Sequence, residues 1–493
     1  MIFCRKSTVR RAISCFGLTS LLFFYVNSAH SQEPAKPEPP PIAPSAPSQQ
    51  SSPATPDQKP APGTGTQVRT GSVVGNSSYE DLIRRLSALL ADHQFLEMEK
   101  LLQDSDNAAA DSPAKLTPQK SQLYRGILAN RENKPQESIR LLEPLVEQMR
   151  PDVSAPEEKM LRKALAEDYL RAGDWAKAAT AYQNLSNRGS LSPDEKSEIE
   201  LPLKLLPLVA GYPRMTVEPG DPFALPYDRD ALGLTDVPVF IDAQSHDWML
   251  DPTAPFNLIC RSTAKEIGLK ISDQSATVET ITGRPMQVHA TLIPRFTLGT
   301  VTYRNMTAFV FDDADYYFPK SGYQVRGVLG YPAVSALGSL TVSADARIEV
   351  QPGDKGEKLT TGARFFLDGD QIVAALGKAG DERMFIVDAG GQQTYLTSRY
   401  YAEHSSDFAN SKMQLLATPS AQKRPPAPAY VAESLTLTVG ATPATFHYLQ
   451  VLTQPLDAAA VDDAYGTLGI DALDELKSYT FDYRTMRFGV KTE

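Results

Sequence analysis

Trp248-Met249-Leu250-Asp251-Pro252-Thr253-Ala254 and Phe385-Ile386-Val387-Asp388-Ala389-Gly390-Gly391 are two versions of one phrase: an apolar run that ends on an aspartate and enters a short loop. Each is followed far downstream by a second shared phrase, Gly327-Val328-Leu329-Gly330 and then Gly466-Thr467-Leu468-Gly469. The aspartates are 137 residues apart and the closing glycines 139. Such an offset marks an internal duplication. One acid per copy predicts two half-sites meeting at a pseudo-twofold axis, where paired carboxylates share a proton and activate water.

The residues around these phrases alternate with a period of two. Val237 to Ile241, a polar turn, and Trp248 to Leu250 predict a hairpin whose second strand delivers Asp251. Phe296 to Tyr303 predicts a second hairpin, continued by Ala308 to Phe311. In the later copy, Ala374 and Ala375 belong to an early strand, Met384 to Val387 delivers Asp388, and Ser434 to Gly440 forms a later strand. Short strands with turn signals throughout predict an all-β double unit, 225–352 and 353–493, joined near Pro352-Gly353-Asp354.

Residues 77–210 have helical spacing instead: Leu82, Leu86, Leu89 and Leu90, then Ile139, Leu142, Leu145 and Val146. Two hairpins look related, and the second holds Gly173-Asp174-Trp175-Ala176-Lys177-Ala178, which resembles the turn of tetratricopeptide repeats. Either a protein-binding scaffold or an ordinary helical bundle fits this pattern. Residues 32–76 are rich in Pro, Ala, Ser and Gln, too poor in apolar side chains to fold, and are expected to be a tether.

Residues 1–31 have the three parts of a secretory signal: Arg5 to Arg11, an apolar run Phe16 to Val26, and Ala29-His30-Ser31. The run is short of the ~20 residues a spanning helix needs. The expectation is an exported chain, periplasmic or extracellular, with no membrane span after signal removal; an uncleaved anchor is the alternative. Cys4 and Cys15 would leave with the signal, so Cys260 would remain alone and no internal disulfide would form. The formal net charge of −10 argues against a nucleic-acid partner.

Together these motifs resemble the aspartic peptidases, the superfamily of pepsins and retroviral proteases. The resemblance covers residues 225–493 and implies a multidomain chain: an all-β bilobal pepsin/retropepsin-like double barrel, preceded by an all-α helical-hairpin, tetratricopeptide-like domain. In that family each lobe carries Asp-Thr/Ser-Gly after an apolar strand, and later an apolar-apolar-Gly segment. Asp251 and Asp388 match the triplet acids and are the implied catalytic pair. Pro252, Thr253, Ala389 and Gly390 form the supporting loops, with Gly330 and Gly469 closing the later segments. Thr282-Gly283-Arg284 is the implied flap tip. The resemblance implies a polypeptide substrate or ligand, no cofactor and no metal. A protein partner could dock on the helical domain.

The sequence departs from the family at the acids themselves. Pro252 has neither a hydroxyl nor an N–H. Thr253 stands where the family has glycine, so a strained turn and a misplaced amide are expected there. Ala389 lacks the hydroxyl, while Gly390 is kept. Both hydroxyls of the family's inter-lobe grip are therefore missing, which sets an active peptidase against an impaired, peptide-holding fold. Asp312, Asp313 and Asp315 form an acidic turn without metal-ligand spacing. No His-Glu-x-x-His pair or Gly-x-Ser-x-Gly elbow occurs.

Overall fold

The computed structural model describes residues 77–147, 155–188, 191–231, 233–279, 285–319, 321–354, 356–391, 393–416, 427–455 and 462–492. The expected leader, the Pro-rich tether and the flap tip Thr282-Gly283-Arg284 lie outside the described residues.

The N-terminal region is all helix: α1 Ser77–Ala91, α2 Phe95–Asn107, α3 Pro118–Arg131, α4 Pro135–Glu147, α5 Ala155–Arg171, α6 Trp175–Arg188 and α7 Pro193–Val209. Leu82, Leu86 and Leu90, four apart, are buried on one face of α1. The sequence suggested two related hairpins, whereas the described residues form three. Their turns centre on His93, Asn133 and Gly173, spaced 40 residues apart, with φ of 55°, 54° and 66°. In each turn the next amide donates to the carbonyl five residues back: Gln94 to Leu89 at 2.7 Å, Lys134 to Ala129 at 2.9 Å, Asp174 to Tyr169 at 2.9 Å. This left-handed helix ending suits glycine or asparagine. The first copy was hidden because His93 fills the position. Pro144 lies inside α4 without ending it.

β pairing begins ahead of the boundary expected at 225, at Thr216–Glu218 and Phe223–Pro226. A six-strand barrel is present. In the first copy the strand Gln244–Leu250 runs parallel to Gly327–Leu329, with Met249 opposite Val328 and Leu250 opposite Leu329. In the second, Arg383–Val387 runs parallel to Gly466–Leu468, with Ile386 opposite Thr467 and Val387 opposite Leu468. Each short Gly-led strand is flanked on its other side by an antiparallel strand, Leu258–Cys260 or Tyr395–Leu396. Each copy also contains one long hairpin, Pro285–Leu298 with Val301–Phe311 and Ala427–Val439 with Thr442–Leu452.

The copies join through an antiparallel ladder between Ser339–Ser343 and Ser478–Asp482, centred on Thr341 opposite Thr480. These two threonines are 139 residues apart, the separation of Gly330 and Gly469. Their hydroxyls meet at 2.7 Å.

The tips of all three helical hairpins converge on one β turn, between Ala363–Asp368 and Gln371–Leu376. His93 reaches Asp368 at 2.6 Å, Arg131 reaches Asp368 at 2.9 Å, and Arg171 donates to the Gly369 carbonyl at 3.2 Å. Arg364 pairs with Glu99 and Glu132, and Phe95 packs on Phe366 with ring centroids 4.9 Å apart.

Candidate active site

Both acids are placed by the same local device. The Asp251 N–H donates to Leu329 O at 3.0 Å and the Asp388 N–H to Leu468 O at 2.9 Å, so each parallel ladder ends on its acid. Beyond each acid the loop is pinned again. Ala254 O accepts from Tyr331 N–H at 2.8 Å, and Gly391 O from Ile470 N–H at 2.7 Å. A Cβ at Gly330 would collide with the Phe256 and Ala254 carbonyls, and one at Gly469 with the backbone of Gln393. Only glycine allows these close backbone approaches.

Two supporting residues escaped the sequence reading. Asn257 Oδ1 accepts from Gly330 N–H at 3.0 Å, and Thr394 Oγ1 accepts from Gly469 N–H at 2.8 Å. Both are buried. The available signal was positional: each is a polar residue six places after its aspartate.

The two acids meet at Thr253. Its Oγ1 lies 2.7 Å from Asp251 Oδ1 and 3.1 Å from Asp388 Oδ1. Its N–H donates to Asp251 Oδ1 at 2.9 Å, and the Ala254 N–H does so at 3.1 Å. The expected strain and misplaced amide at Thr253 are therefore absent. Thr253 is not among the left-handed residues, so its β-branch meets no backbone penalty. The inter-copy hydroxyl thought to be missing is also present, supplied one residue later than in the family pattern. From the other side Gly390 packs so closely that a Cβ there would enter the Asp251 carboxylate. Pro252 and Ala389 are buried and supply no side-chain donor.

The environment separates the two acids. Burial pushes both carboxyls up. Asp251 is offset by three donors: the Thr253 hydroxyl, the Thr253 amide and the Ala254 amide. Asp388 reaches about 8, through burial first and the Asp251 charge second, against donors from Thr253, Gly390 and Gly391. Asp251, with three donors on its Oδ1, is thus the readier of the two to ionise, and the one Thr253 hydroxyl lies within donating distance of both carboxylates. Both side chains are covered: Asp251 is 0% and Asp388 3% exposed. A cavity of about 620 Å³ lies beside the helical region, and neither acid lines it.

The other motifs resolve into structure. Asp312 pairs with Arg261, and Asp313 accepts from the Ser262 amide and hydroxyl at 3.1 and 3.0 Å, so the acidic turn ties down the helix Arg261–Glu266. Cys260 is buried. Among the described residues no His/Cys/Asp/Glu group is arranged to hold a metal, and no helix is long and apolar enough to cross a membrane.

Residues 237–333, which contain Asp251, Gly330 and the pinning Asn257, match the family model described as aspartyl protease. No curated protein matches the chain. Among solved structures, the chain is similar to a retropepsin-like aspartic protease from Rickettsia conorii, at 13% identity and a TM-score of 0.20, covering 27% of this chain and 93% of that one. The family match supports an aspartic-protease-like region at residues 237–333, preceded by helices.

Proposed function

We propose that the β region is a bilobal aspartic peptidase unit and that Asp251 and Asp388 are its catalytic pair. The observation that carries this reading is the shared Thr253 hydroxyl, which ties together two acids placed by matching ladders. Ionised Asp251 takes a proton from water as the water oxygen attacks a peptide carbonyl carbon. Asp388 gives its proton to the carbonyl oxygen. Collapse of the resulting diol returns a proton to Asp388, and Asp251 passes its proton to the leaving nitrogen. The substrate is an extended polypeptide paired along a strand edge.

A second reading has its own observation. Thr253 Oγ1 occupies the place between the acids that an attacking water needs, and Asp251 is fully covered. On that reading the fold holds peptides without cutting them, and the helical region is a tetratricopeptide-like scaffold for a protein partner. The basic, apolar and small-residue order of the first 31 residues supports export to the periplasm or beyond.

The test is incubation of the purified chain with denatured polypeptide from pH 3 to 8, beside Asp251→Asn and Asp388→Asn. Cleavage abolished by either substitution supports the peptidase. Cleavage that survives both substitutions removes the pair from the mechanism.

A further inference from the structure

We propose that the 620 Å³ cavity between the helical region and the β region is a second binding site, for a peptide segment bearing an arginine or lysine side chain. Its volume lies within the range of small-ligand sites, roughly 300–1,000 Å³. Its walls are built mainly from α5 to α7, the loop after Asp251 and the turn at Asp368–Gln371, with His93 and Asp463 also on the lining.

The charge on those walls does not balance. Five carboxylates line the cavity, against Lys163, Arg171 and His93. The cations are already engaged. Lys163 binds Glu198 at 2.7 Å. Arg171 donates to Asn130 O at 2.8 Å and Gly369 O at 3.2 Å and lies 3.7 Å from Glu167, and His93 is held by Asp368, with Asp463 at 3.6 Å. Among the described residues Asp370, on the exposed turn, makes no ion pair. Buried Glu167 gives Oε2 to Arg131 at 2.9 Å, and its Oε1 has no hydrogen-bond partner. Glu198 and Glu167 both repel a charge at Asp370, and Lys163 offsets this only in part. An added cation would relieve that repulsion.

The rest of the lining fits the body of such a ligand. Trp175, Tyr182 and Phe256 are aromatic walls beside the acids. An aromatic face attracts a guanidinium or ammonium and also covers its aliphatic stem. An anionic ligand would meet the surplus carboxylates, and a neutral one would leave them unrelieved.

The test uses the full chain and needs no cleavage. The probe is N-acetyl-phenylalanyl-arginine amide, with the citrulline analogue as a neutral match and the glutamate analogue as an anion. Binding is followed by calorimetry and by tryptophan fluorescence, which reports the cavity because the chain has two tryptophans and the other, Trp248, is fully buried in the first β copy. The arginine probe should bind saturably, at least tenfold tighter than citrulline, with affinity falling as salt rises. Asp370→Asn should weaken it at least tenfold and Asp370→Lys should abolish it. Trp175→Phe should remove the fluorescence change while heat is still measured. Unfolding of either Asp370 variant shifts the test to the citrulline ratio and the salt dependence in the parent chain. Equal binding of arginine and citrulline probes, preference for glutamate, or no saturable binding of the arginine probe would overturn the proposal.

Discussion

His93 Nε2 lies 2.6 Å from Asp368 Oδ2, although the two residues are 275 positions apart in the chain. This contact joins the first helical hairpin to the second β copy, and Arg131 and Arg171 bring the next two hairpins to the same turn. Burial alone would push His93 down, but the hydrogen bond and charge of Asp368, helped by Asp463 and opposed by Arg131, hold it above its ordinary value. Burial would push Asp368 up, yet Arg131, His93 and Lys163 hold it well below the carboxylate range.

The clasp therefore has a pH window. The histidine contribution is complete below about pH 6.5 and is lost as pH rises through its higher folded value. The aspartate contribution is present above about pH 4 and is lost as pH falls through its lowered folded value. Asp368→Asn leaves Arg131 and His93 facing a neutral amide, at a cost of about 3–5 kcal/mol. Its thermal unfolding should begin earlier at pH 5.5, with less pH dependence than the parent between 5.5 and 8.5. An unchanged melting curve would show that the contact stabilises nothing.

Thr253 decides between the two functional readings. Thr253→Gly clears the space between the acids and keeps the amide that donates to Asp251. On the peptidase reading with a partly blocked centre, kcat/KM should rise at least tenfold. Thr253→Val removes the hydroxyl but keeps the bulk, and should gain nothing. Equal rates for the parent and both variants would show that the side chain neither blocks nor assists.

Asp388 makes the fold sensitive to alkali. Its folded value of about 8 lies above the unfolded value of about 3.9, so the native state holds the proton more tightly across that interval. Stability is complete below the unfolded value and declines as pH rises toward 8. Asp388→Asn removes this slope. Its melting temperature should match the parent near pH 4 and exceed it by several degrees at pH 8, since one kcal/mol moves a unit of this size by about 2–4 °C. A larger gap at pH 4 than at pH 8 would reverse the assignment.

The pins at Asn257 and Thr394 should act alike. Asn257→Ala strands the Gly330 amide, and Thr394→Val strands that of Gly469. Each should lose about 1–3 kcal/mol in urea unfolding, the cost of a buried unpaired donor. Any cleavage should fall through kcat rather than KM, because the pins hold the loops of the acids. A change confined to KM would place them at the substrate instead.

The doubled phrases made the acids and their closing glycines legible because strand, turn and close backbone approach each demand particular residue types. The strand that delivers each acid was legible for the same reason. The first helical hairpin was hidden, since a left-handed turn accepts His93 as well as Asn133 and Gly173. Thr253 was misjudged because residue type was weighed against a family position: a threonine where glycine is usual suggested strain, while its φ is ordinary and its hydroxyl finds both carboxylates. The clasp at Asp368 was invisible for a different reason. Nothing in a local pattern ties His93 to a residue 275 positions away.

The strand Ser339–Ser343 faces the segment that repeats it, and Thr341 meets its own counterpart Thr480. Such a strand is self-complementary. Parted from its counterpart, such a strand would present an open edge whose best-matched partner is a second copy of itself.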